Sequence, residues 1–456
     1  MGTEFVVCYD PYVNVLGTTM FTYAMTEGFE ALGVKTRWVT VTTEKKPPKA
    51  DAVLQIPFWT YPIERLSLVD FLDLCSDVNC IGVFVPEPVS VAADNAALAD
   101  GKEPLYVRAL MQCPRPWTTY LAFVYESKFV AQTFLKKLWA SKNRTKQIVV
   151  PNSHAPAEWM RDTAQWVYCS TLGYGQRNFI RILKVPDVSS LVSRPKTALA
   201  ACRLETFKGG WSHLVKHPDL IPPEWTLTMV GLARERGRAS GAQIAFESLV
   251  EDPSYRSHDS VTLRAIADGL YAEMRRDYTE RSGRPCAEVG TSPAWSVTLT
   301  ENRRVEYLGY FDHPLGLTCW PQVKEAPVAL CLTDDSRMCG ALEISTVDHA
   351  LRGAIPIMGP RQYGTRCGCR LNAYVLCESP RSRDFESAFK RALDETYEMS
   401  HDADIITHNF NAMRENYDPA ILASYLLAAL RDDDMTSEIP IQECIHTESG
   451  FKRAIR

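Results

Sequence analysis

Short apolar runs alternate along the chain with stretches in which apolar residues recur every three or four positions. The first run is Phe5–Tyr9, and after a loop a helical pattern extends from Met20 to Leu32. Gly33 predicts the end of that helix, because glycine adopts the left-handed conformation of a helix stop. Arg37–Thr42 then completes a strand-helix-strand unit, which predicts a parallel sheet with a ligand at the carboxyl ends of its strands.

The same alternation continues through both halves of the chain. Further strands are predicted at Ala52–Ile56, Cys80–Val85, Leu121–Tyr125, Val149–Asn152, Ala198–Ala201, Thr226–Val230, Val305–Leu308, Ala329–Leu332 and Ala354–Met358. Residues 247–303 break the rhythm with a polar, arginine-rich stretch and are predicted to be an insertion. Late in the chain, Phe385, Phe389 and Leu393 have the spacing of a buried helix stripe.

This pattern predicts an α/β protein built from two Rossmann-like parallel-sheet domains. The N-terminal domain is expected over residues 1–175, a linker over 176–196 and the C-terminal domain over 197–415. The weakly periodic residues 153–196 are interpreted as linker with some helix. A helix within 416–432 is expected to pack back on the N-terminal domain, and residues 433–456 are expected to form a tail.

Length and composition agree with two globular domains. The chain has 456 residues, of which 46% are hydrophobic and 23% charged. No apolar run has the roughly 20 residues of a membrane-spanning helix, and the N-terminus lacks a signal-peptide pattern, so a cytoplasmic protein is expected. The 14 cysteines lack the spacing of a metal site, which favours reduced thiols.

The charge is unevenly distributed within the N-terminal half. The net charge of −5 argues by itself against nucleic-acid binding. Residues 101–150, however, carry nine Lys or Arg against two acids. Five of these cations form what we call the basic band: Lys136, Lys137, Lys142, Arg144 and Lys146. The basic band is either a solvated helix face or a groove for the phosphates of DNA.

A candidate anion site follows the strand at Ala198–Ala201. Arg203 comes two residues after this strand, and Lys208 with Gly209 opens the next helical pattern. A strand-to-helix turn directs backbone N–H groups, the positive end of a helix dipole and nearby cations at one point, which suits a diphosphate. The alternative is a pair of solvated surface cations.

Carboxylates provide the other candidate chemistry. Glu343 precedes a short predicted helix that starts at Ser345 in a capping-box-like pattern with Asp348 and stops at Gly353. These carboxylates either accept sugar hydroxyls or complement the helix dipole. Glu87, between two prolines at a strand end, is placed to meet a substrate or belongs to an ordinary loop.

In order and spacing, these motifs resemble the retaining GT-B glycosyltransferases that use nucleotide sugars, and within them the enzymes that glucosylate hydroxymethylcytosine in phage DNA. The resemblance is carried by Arg203 with Lys208-Gly209, Gly17-Thr-Thr-Met-Phe21, the turn Gly231-Leu232, and Glu343 and Asp348 ahead of Gly353-Ala-Ile-Pro356. It implies a GT-B fold, with the two domains facing a cleft. It also implies a UDP-sugar donor, UDP-glucose above all, no obligatory metal, and double-stranded DNA with hydroxymethylated bases as acceptor in an infected cell.

The resemblance also implies roles for individual residues. Arg203 and Lys208 would hold the donor diphosphate and act in catalysis. The remaining donor contacts would come from Gly17, Thr18, Gly231, Glu343, Ser345, Thr346 and Asp348. On the acceptor side, Glu87-Pro88 stands where the DNA-modifying enzymes have His-Asp, and Asp348 is one methylene shorter than their second Glu. Two alternatives are a GT-B enzyme that glycosylates a lipid, saccharide or protein, and a GT-B-shaped binding protein without catalysis.

Overall fold

The chain divides into two compact units in the computed structural model. The first unit comprises Met1–Arg177, Cys339–Ala341 and Tyr417–Glu443, and the second comprises Asn178–Met338, Leu342–Asn416 and Cys444–Arg456. The structure describes residues 4–8, 28–39, 52–55, 80–85, 117–121, 147–151, 166–170, 194–201, 214, 217–230, 234–235, 238–239, 257–258, 295–298, 304–307, 325–332, 344–364, 368–380, 382–416, 418, 420–421, 423–424, 427 and 448–454.

The first unit contains a parallel sheet of seven strands. They are β1 (Glu4–Cys8), β2 (Lys35–Val39), β3 (Ala52–Gln55), β4 (Cys80–Val85), β5 (Trp117–Leu121), β6 (Gln147–Pro151) and β7 (Trp166–Ser170). Their order is β2-β1-β3-β4-β5-β6-β7, and every pairing is parallel. The direction of strand addition reverses at β1, and Gly17 comes after this strand in sequence.

β2 starts two residues before the predicted Arg37–Thr42, and two other strands of the first sheet differ more from the sequence prediction. β5 lies at Trp117–Leu121 rather than Leu121–Tyr125, because the aromatic and β-branched residues that follow Pro116 are the ones that pair with β4. β7 lies within residues 153–196, which were interpreted as linker with some helix. This edge strand is placed by its parallel pairing with β6, a long-range contact that local periodicity does not reveal.

The second unit contains a nine-stranded mixed sheet. It is formed by β8 (Thr197–Ala201), β9 (Thr226–Val230), β12 (Ser257–His258), β13 (Trp295–Thr298), β14 (Arg304–Tyr307), β15 (Val328–Cys331), β16 (Ile355–Met358), β17 (Ala373–Val375) and β18 (Gly450–Lys452). The order is β12-β13-β14-β9-β8-β15-β16-β17-β18. The six central strands, from β14 to β17, pair in parallel, and antiparallel pairings add β13 and β12 at one edge and β18 at the other. β10 (Arg234–Glu235) and β11 (Arg238–Ala239) pair separately.

The edges of this sheet come from segments to which the sequence assigned no strand. The predicted insertion at 247–303 contributes β12 and β13, so in its described part it extends the sheet. The expected tail at 433–456 contributes β18. Residues 178–196, most of the expected linker, group with the second unit. In residues 417–443, which group with the first unit, the described residues 420, 421, 423, 424 and 427 are helical.

The core of the second unit lies between the sheet and a long helix. The described helices are α1 (Ile344–Leu351), α2 (Pro360–Tyr363), α3 (Phe385–Met399) and α4 (Ala403–Asn416). On α3, Phe385, Phe389 and Leu393 are buried, which confirms the predicted stripe. The two phenylalanine rings stack with their centroids 5.6 Å apart. They share one apolar cluster with Ala198, Leu330 and Ile357 of the sheet.

Two glycines adopt the left-handed conformation at helix ends, as predicted. The φ angle is 76° at Gly33 and 83° at Gly353. At Gly33 the amide donates to the Glu30 carbonyl at 3.1 Å, and the next amide, of Val34, donates to the Phe29 carbonyl at 3.0 Å. The last carbonyls of this helical turn are therefore satisfied by the backbone that follows it.

We expect Gly33→Ala to destabilise the first unit by roughly 1–2 kcal/mol, the cost of a left-handed backbone for a residue with a Cβ. Among the described residues, no atom lies within 4 Å of a Cβ built at this position, so the loss of stability reports the cost of the backbone conformation and not a steric clash. Gly33→Asn is the matched control and should lose less, because asparagine tolerates this conformation. Calorimetric unfolding measures both variants, and equal stability of Gly33→Ala and the parent would contradict the assignment.

Candidate functional site

The candidate site follows three neighbouring strands of the second sheet. β9 lies on one side of β8 and β15 on the other, so the direction of strand addition reverses beside β8. Ligands of open parallel sheets bind at such a reversal, outside the carboxyl ends of the strands. Arg203 follows β8 in sequence, Gly231 follows β9, and the chain after β15 leads to α1. The carboxyl ends of β9, β8 and β15 are therefore neighbours, and the predicted donor residues of this unit come after these strands in sequence.

Only part of the predicted site lies among the described residues. Ser345, Thr346 and Asp348 are described, and all three lie on α1. The following predicted site residues lie outside the described residues: Gly17, Thr18, Glu87, Lys136, Lys137, Lys142, Arg144, Lys146, Arg203, Lys208, Gly231 and Glu343. Their roles stay predictions.

Helix α1 begins two residues earlier than the capping pattern indicates, since a cap at Ser345 makes Thr346 the first helical residue. It starts at Ile344, so Ser345 lies in the first turn instead of preceding it. The predicted cap position is wrong by this small shift, because the capping-box pattern marks a helix start only to within a residue or two. Ser345 is partly exposed, whereas Thr346 is fully buried and Asp348 is 8% exposed.

Three polar atoms on α1 are buried without a partner among the described residues: Thr346 Oγ1, Asp348 Oδ1 and His349 Nε2. Burial raises the pKa of Asp348 well above its ordinary value, and the charge of Arg352 opposes this shift. Buried polar atoms are rarely left unsatisfied, since the missing hydrogen bond costs free energy. Of the three, the oxygens of Thr346 and Asp348 are the candidates to receive a hydrogen bond from a ligand.

A buried arginine cluster, which we define as Arg194, His349 and Arg352, lies at the other end of α1. Arg352 donates from Nη1 to the Ala326 carbonyl at 2.9 Å, and its Nε and Nη2 lie 3.2 and 2.7 Å from His349 Nδ1. Arg194 Nη1 donates to the Gly353 carbonyl at 2.9 Å. A guanidinium only donates, so His349 Nδ1 accepts and the imidazole proton is assigned to Nε2.

The electrostatics of this cluster follow from burial and mutual repulsion. Burial, and then the neighbouring charge of Arg194, lower the pKa of Arg352 to about 9, while Asp348 and Cys331 act in the opposite direction. Burial lowers the pKa of Arg194 to about 10. Burial and the charge of Arg352 both hold the pKa of His349 well below its ordinary value. At neutral pH the cluster therefore holds two guanidinium cations and a neutral imidazole.

The carboxyl end of β15 is tied to the following helix. Gln362, on α2, donates from Nε2 to the Cys331 carbonyl at 2.8 Å, and both groups are buried. This bond fixes the last residue of β15 against the segment after β16. The sequence prediction missed Gln362 and all three members of the buried arginine cluster. The only signal was the spacing of His349 and Arg352, three residues apart in the predicted helix.

Two kinds of feature are absent from the described part of the chain. Within it, no helix is both long enough and apolar enough to cross a membrane. Among the same residues, no group of three or more His, Cys, Asp or Glu is arranged to hold a metal ion. Metal-independent donor binding stays a prediction.

Comparison with known proteins gives matches at the level of structure. No protein-family model matches the sequence, and no curated protein matches it. An alpha-glucosyltransferase in complex with UDP and a 13-mer DNA containing an HMU base is 12% identical, with a TM-score of 0.51 over 94% of this chain and 100% of that chain. An alpha-glucosyltransferase in complex with UDP-glucose and DNA containing an abasic site is 13% identical, with a TM-score of 0.50 and the same two coverages.

A third solved structure, a trehalose-6-phosphate synthase, is 11% identical and has a TM-score of 0.50 over 94% of this chain and 99% of that chain. All three similarities extend over nearly the whole of both chains. The chain therefore has the α/β GT-B fold, as predicted. At these identities the similarity defines the fold, and the activity has to be argued from the site.

Proposed function

We propose that this protein is a retaining glycosyltransferase that moves glucose from UDP-glucose to a hydroxymethylated pyrimidine base in double-stranded DNA. The observation that carries the proposal is the strand order of the second sheet: β9, β8 and β15 are neighbours at the strand reversal, and the candidate anion-binding and carboxylate residues follow these strands in sequence. Two solved structures of the same fold, described as alpha-glucosyltransferases with UDP or UDP-glucose and DNA, support this substrate class.

The donor is held mainly by the second unit in this proposal. Arg203, Lys208 and the N-terminal N–H groups of α1 bind the diphosphate, because cations and a helix N-terminus both favour phosphate oxygens. Asp348 and Glu343 accept hydroxyl groups of the donor. The free oxygen of Asp348, buried without a partner among the described residues, supports this role. The uridine side is assigned to Gly231 in this proposal, and further donor contacts are assigned to Gly17 and Thr18.

Charge development explains how such a site accelerates transfer. When the bond between the sugar and the diphosphate breaks, its electron pair moves to the phosphate oxygen, and fixed cations stabilise that oxygen most strongly in the transition state. The hydroxyl oxygen of the base forms the new bond to the anomeric carbon on the same face of the sugar, and its proton passes to the Glu87 carboxylate. Glu87 provides the carboxylate on the acceptor side.

Access to the base requires DNA binding and deformation. A hydroxymethyl group within a duplex reaches a buried site only when the base is flipped or the duplex is distorted. The basic band supplies cations that can follow the phosphate backbone during this step. These residues belong to the first unit, apart in sequence from the donor site.

The test is to incubate the protein with UDP-glucose, and then with other nucleotide sugars, together with hydroxymethylated or plain duplex DNA. We expect release of UDP and a hexose added to the hydroxymethylated base, measured by mass spectrometry of the nucleosides, with an α-configured linkage in NMR spectra. Plain duplex is the matched control. Transfer to a saccharide but not to either DNA would overturn the DNA assignment and favour the alternative supported by the trehalose-6-phosphate synthase of the same fold.

A further inference from the structure

Arg352 connects the carboxyl end of α1 to the sheet beneath it. The side chain is 3% exposed and donates to the carbonyl of Ala326, two residues ahead of β15, and to the imidazole of His349 one turn earlier on α1. Arg194 joins the same end of the helix to the segment before β8, through the Gly353 carbonyl. Two buried guanidinium groups thus attach α1 to the two strands that flank the strand reversal.

We propose that Arg352 is a positioning residue for the donor, acting through the Asp348 carboxylate. The inference rests on the proposed function, in which Asp348 accepts a donor hydroxyl. In this inference Arg352 has two roles. It fixes the position of α1 along its axis, and it places a cation one helical turn from the almost completely buried carboxylate of Asp348.

The short length of α1 makes its position depend on tertiary contacts. The helix has only eight residues, and isolated helices of this length are unstable in water. Thr346, Val347, His349 and Ala350 are fully buried, but apolar packing alone permits small shifts of a helix along its axis. The directional bonds of Arg352 and Arg194 at its carboxyl end remove that freedom.

The charge of Asp348 depends on Arg352 as well. Burial disfavours a carboxylate, and a protonated Asp348 is a poorer acceptor for a sugar hydroxyl. Arg352 lies four residues after Asp348, one helical turn away, and its positive charge favours the ionised form. The same cation is stabilised at the carboxyl end of α1 by the helix dipole. Arg352 therefore serves both the position and the charge of the carboxylate.

The experiment compares Arg352→Met, Arg352→Lys, Asp348→Asn and the double variant of Arg352→Met with Asp348→Asn. We expect Arg352→Met to raise the KM for UDP-glucose by roughly 10- to 100-fold with kcat nearly unchanged, the range of one hydrogen bond to a charged group. Arg352→Lys should recover part of the loss because it keeps the charge. In the Asp348→Asn background, Arg352→Met should cost little more. Arg391→Met, which removes an exposed arginine of α3, is the matched control.

Two outcomes overturn the inference. One is an unchanged donor KM in a folded Arg352→Met protein. The other is a multiplicative loss in the double variant, which means that the two residues act independently. If Arg352→Met does not fold, the donor KM of Arg352→Lys is compared with that of the double variant of Arg352→Lys with Asp348→Asn. The same two outcomes then overturn the inference.

A measurement without donor separates this inference from the proposed function. The protein is labelled with carboxyl-¹³C aspartate, and the pH at which the Asp348 signal titrates is measured. We expect this pH to be higher in Arg352→Lys than in the parent, because the cation is displaced. It should be higher still in Arg352→Met, which has no cation. If the parent binds no nucleotide sugar, the proposed function fails whatever the titration shows. If it does bind UDP-glucose and Asp348 titrates alike in all three proteins, the role of Arg352 fails alone.

Discussion

Replacing Arg203 or Lys208 with alanine should slow glucose transfer severely while leaving the protein folded. Each substitution removes a cation from the oxygen on which negative charge develops, and such groups contribute about 2–4 kcal/mol to the transition state. The corresponding loss in kcat/KM is roughly 30- to 1000-fold. Initial rates at subsaturating UDP-glucose measure this loss, and thermal unfolding reports whether the fold is intact.

Lys196→Ala is the matched control for these two variants. Lys196 flanks the amino end of β8, whereas Arg203 and Lys208 follow its carboxyl end. The Lys196 ammonium lies 3.5 Å from Glu224 and 3.7 Å from Asp394, in surface ion pairs that contribute little to stability. This variant should transfer glucose at the parental rate. Parental rates in both Arg203→Ala and Lys208→Ala would remove the diphosphate assignment.

Reversing two charges of the basic band to glutamate should abolish transfer to hydroxymethylated duplex. If the band neutralises phosphates, each phosphate contact that is lost reduces the magnitude of the slope of log affinity against log salt by roughly 0.9. Repulsion between the two new carboxylates and the phosphates weakens DNA binding further. Hydrolysis of UDP-glucose by water should remain, since it needs no DNA. Fluorescence anisotropy across a salt series measures the slope, and UDP release without DNA measures the hydrolysis.

The matched control for the basic-band variant is the reversal of Lys390 and Arg391 to glutamate, which makes the same change of net charge on the second unit. Lys390 and Arg391 are adjacent on α3, and Lys390 forms an exposed ion pair with Glu386 at 2.7 Å. Their double reversal should leave the salt slope and the transfer rate near those of the parent. A basic-band variant that modifies DNA as well as the parent at physiological salt would show that the band is a solvated helix face, and a saccharide, lipid or protein acceptor would then take precedence.

The sequence predicted those elements whose burial is visible in local periodicity. β9 was placed residue for residue at Thr226–Val230, because a run of β-branched and apolar residues ends directly before Gly231. The stripe of Phe389 and its neighbours on α3 was equally visible. β7 and β18 were missed because edge strands of three to five residues are defined by the strand they pair with, not by their own pattern.

The same distinction applies to the candidate site. That Asp348 lies on a short helix ahead of a glycine stop was readable from spacing. That the helix is held by Arg194 and Arg352 was not, because the carbonyl that Arg194 contacts is 159 positions away and sequence statistics expect arginine at the surface. Buried cations with specific long-range partners are recognisable only once the strands are in place.

The last described strand has a consequence for how the protein is synthesised. β18 pairs with β17, and its flanks are held where Tyr363 donates to the Arg453 carbonyl at 3.1 Å and the Ala454 amide donates to Asn372 at 3.0 Å. The chain leaves the second unit after residue 416 and re-enters it at 444. While a ribosome is still translating residues 417–443, the edge of β17 has no partner strand, and an open edge is a template for pairing between nascent chains. Completion of both units is thereby deferred until residues 417–454 have been translated, and chaperone protection of this edge would matter most until then.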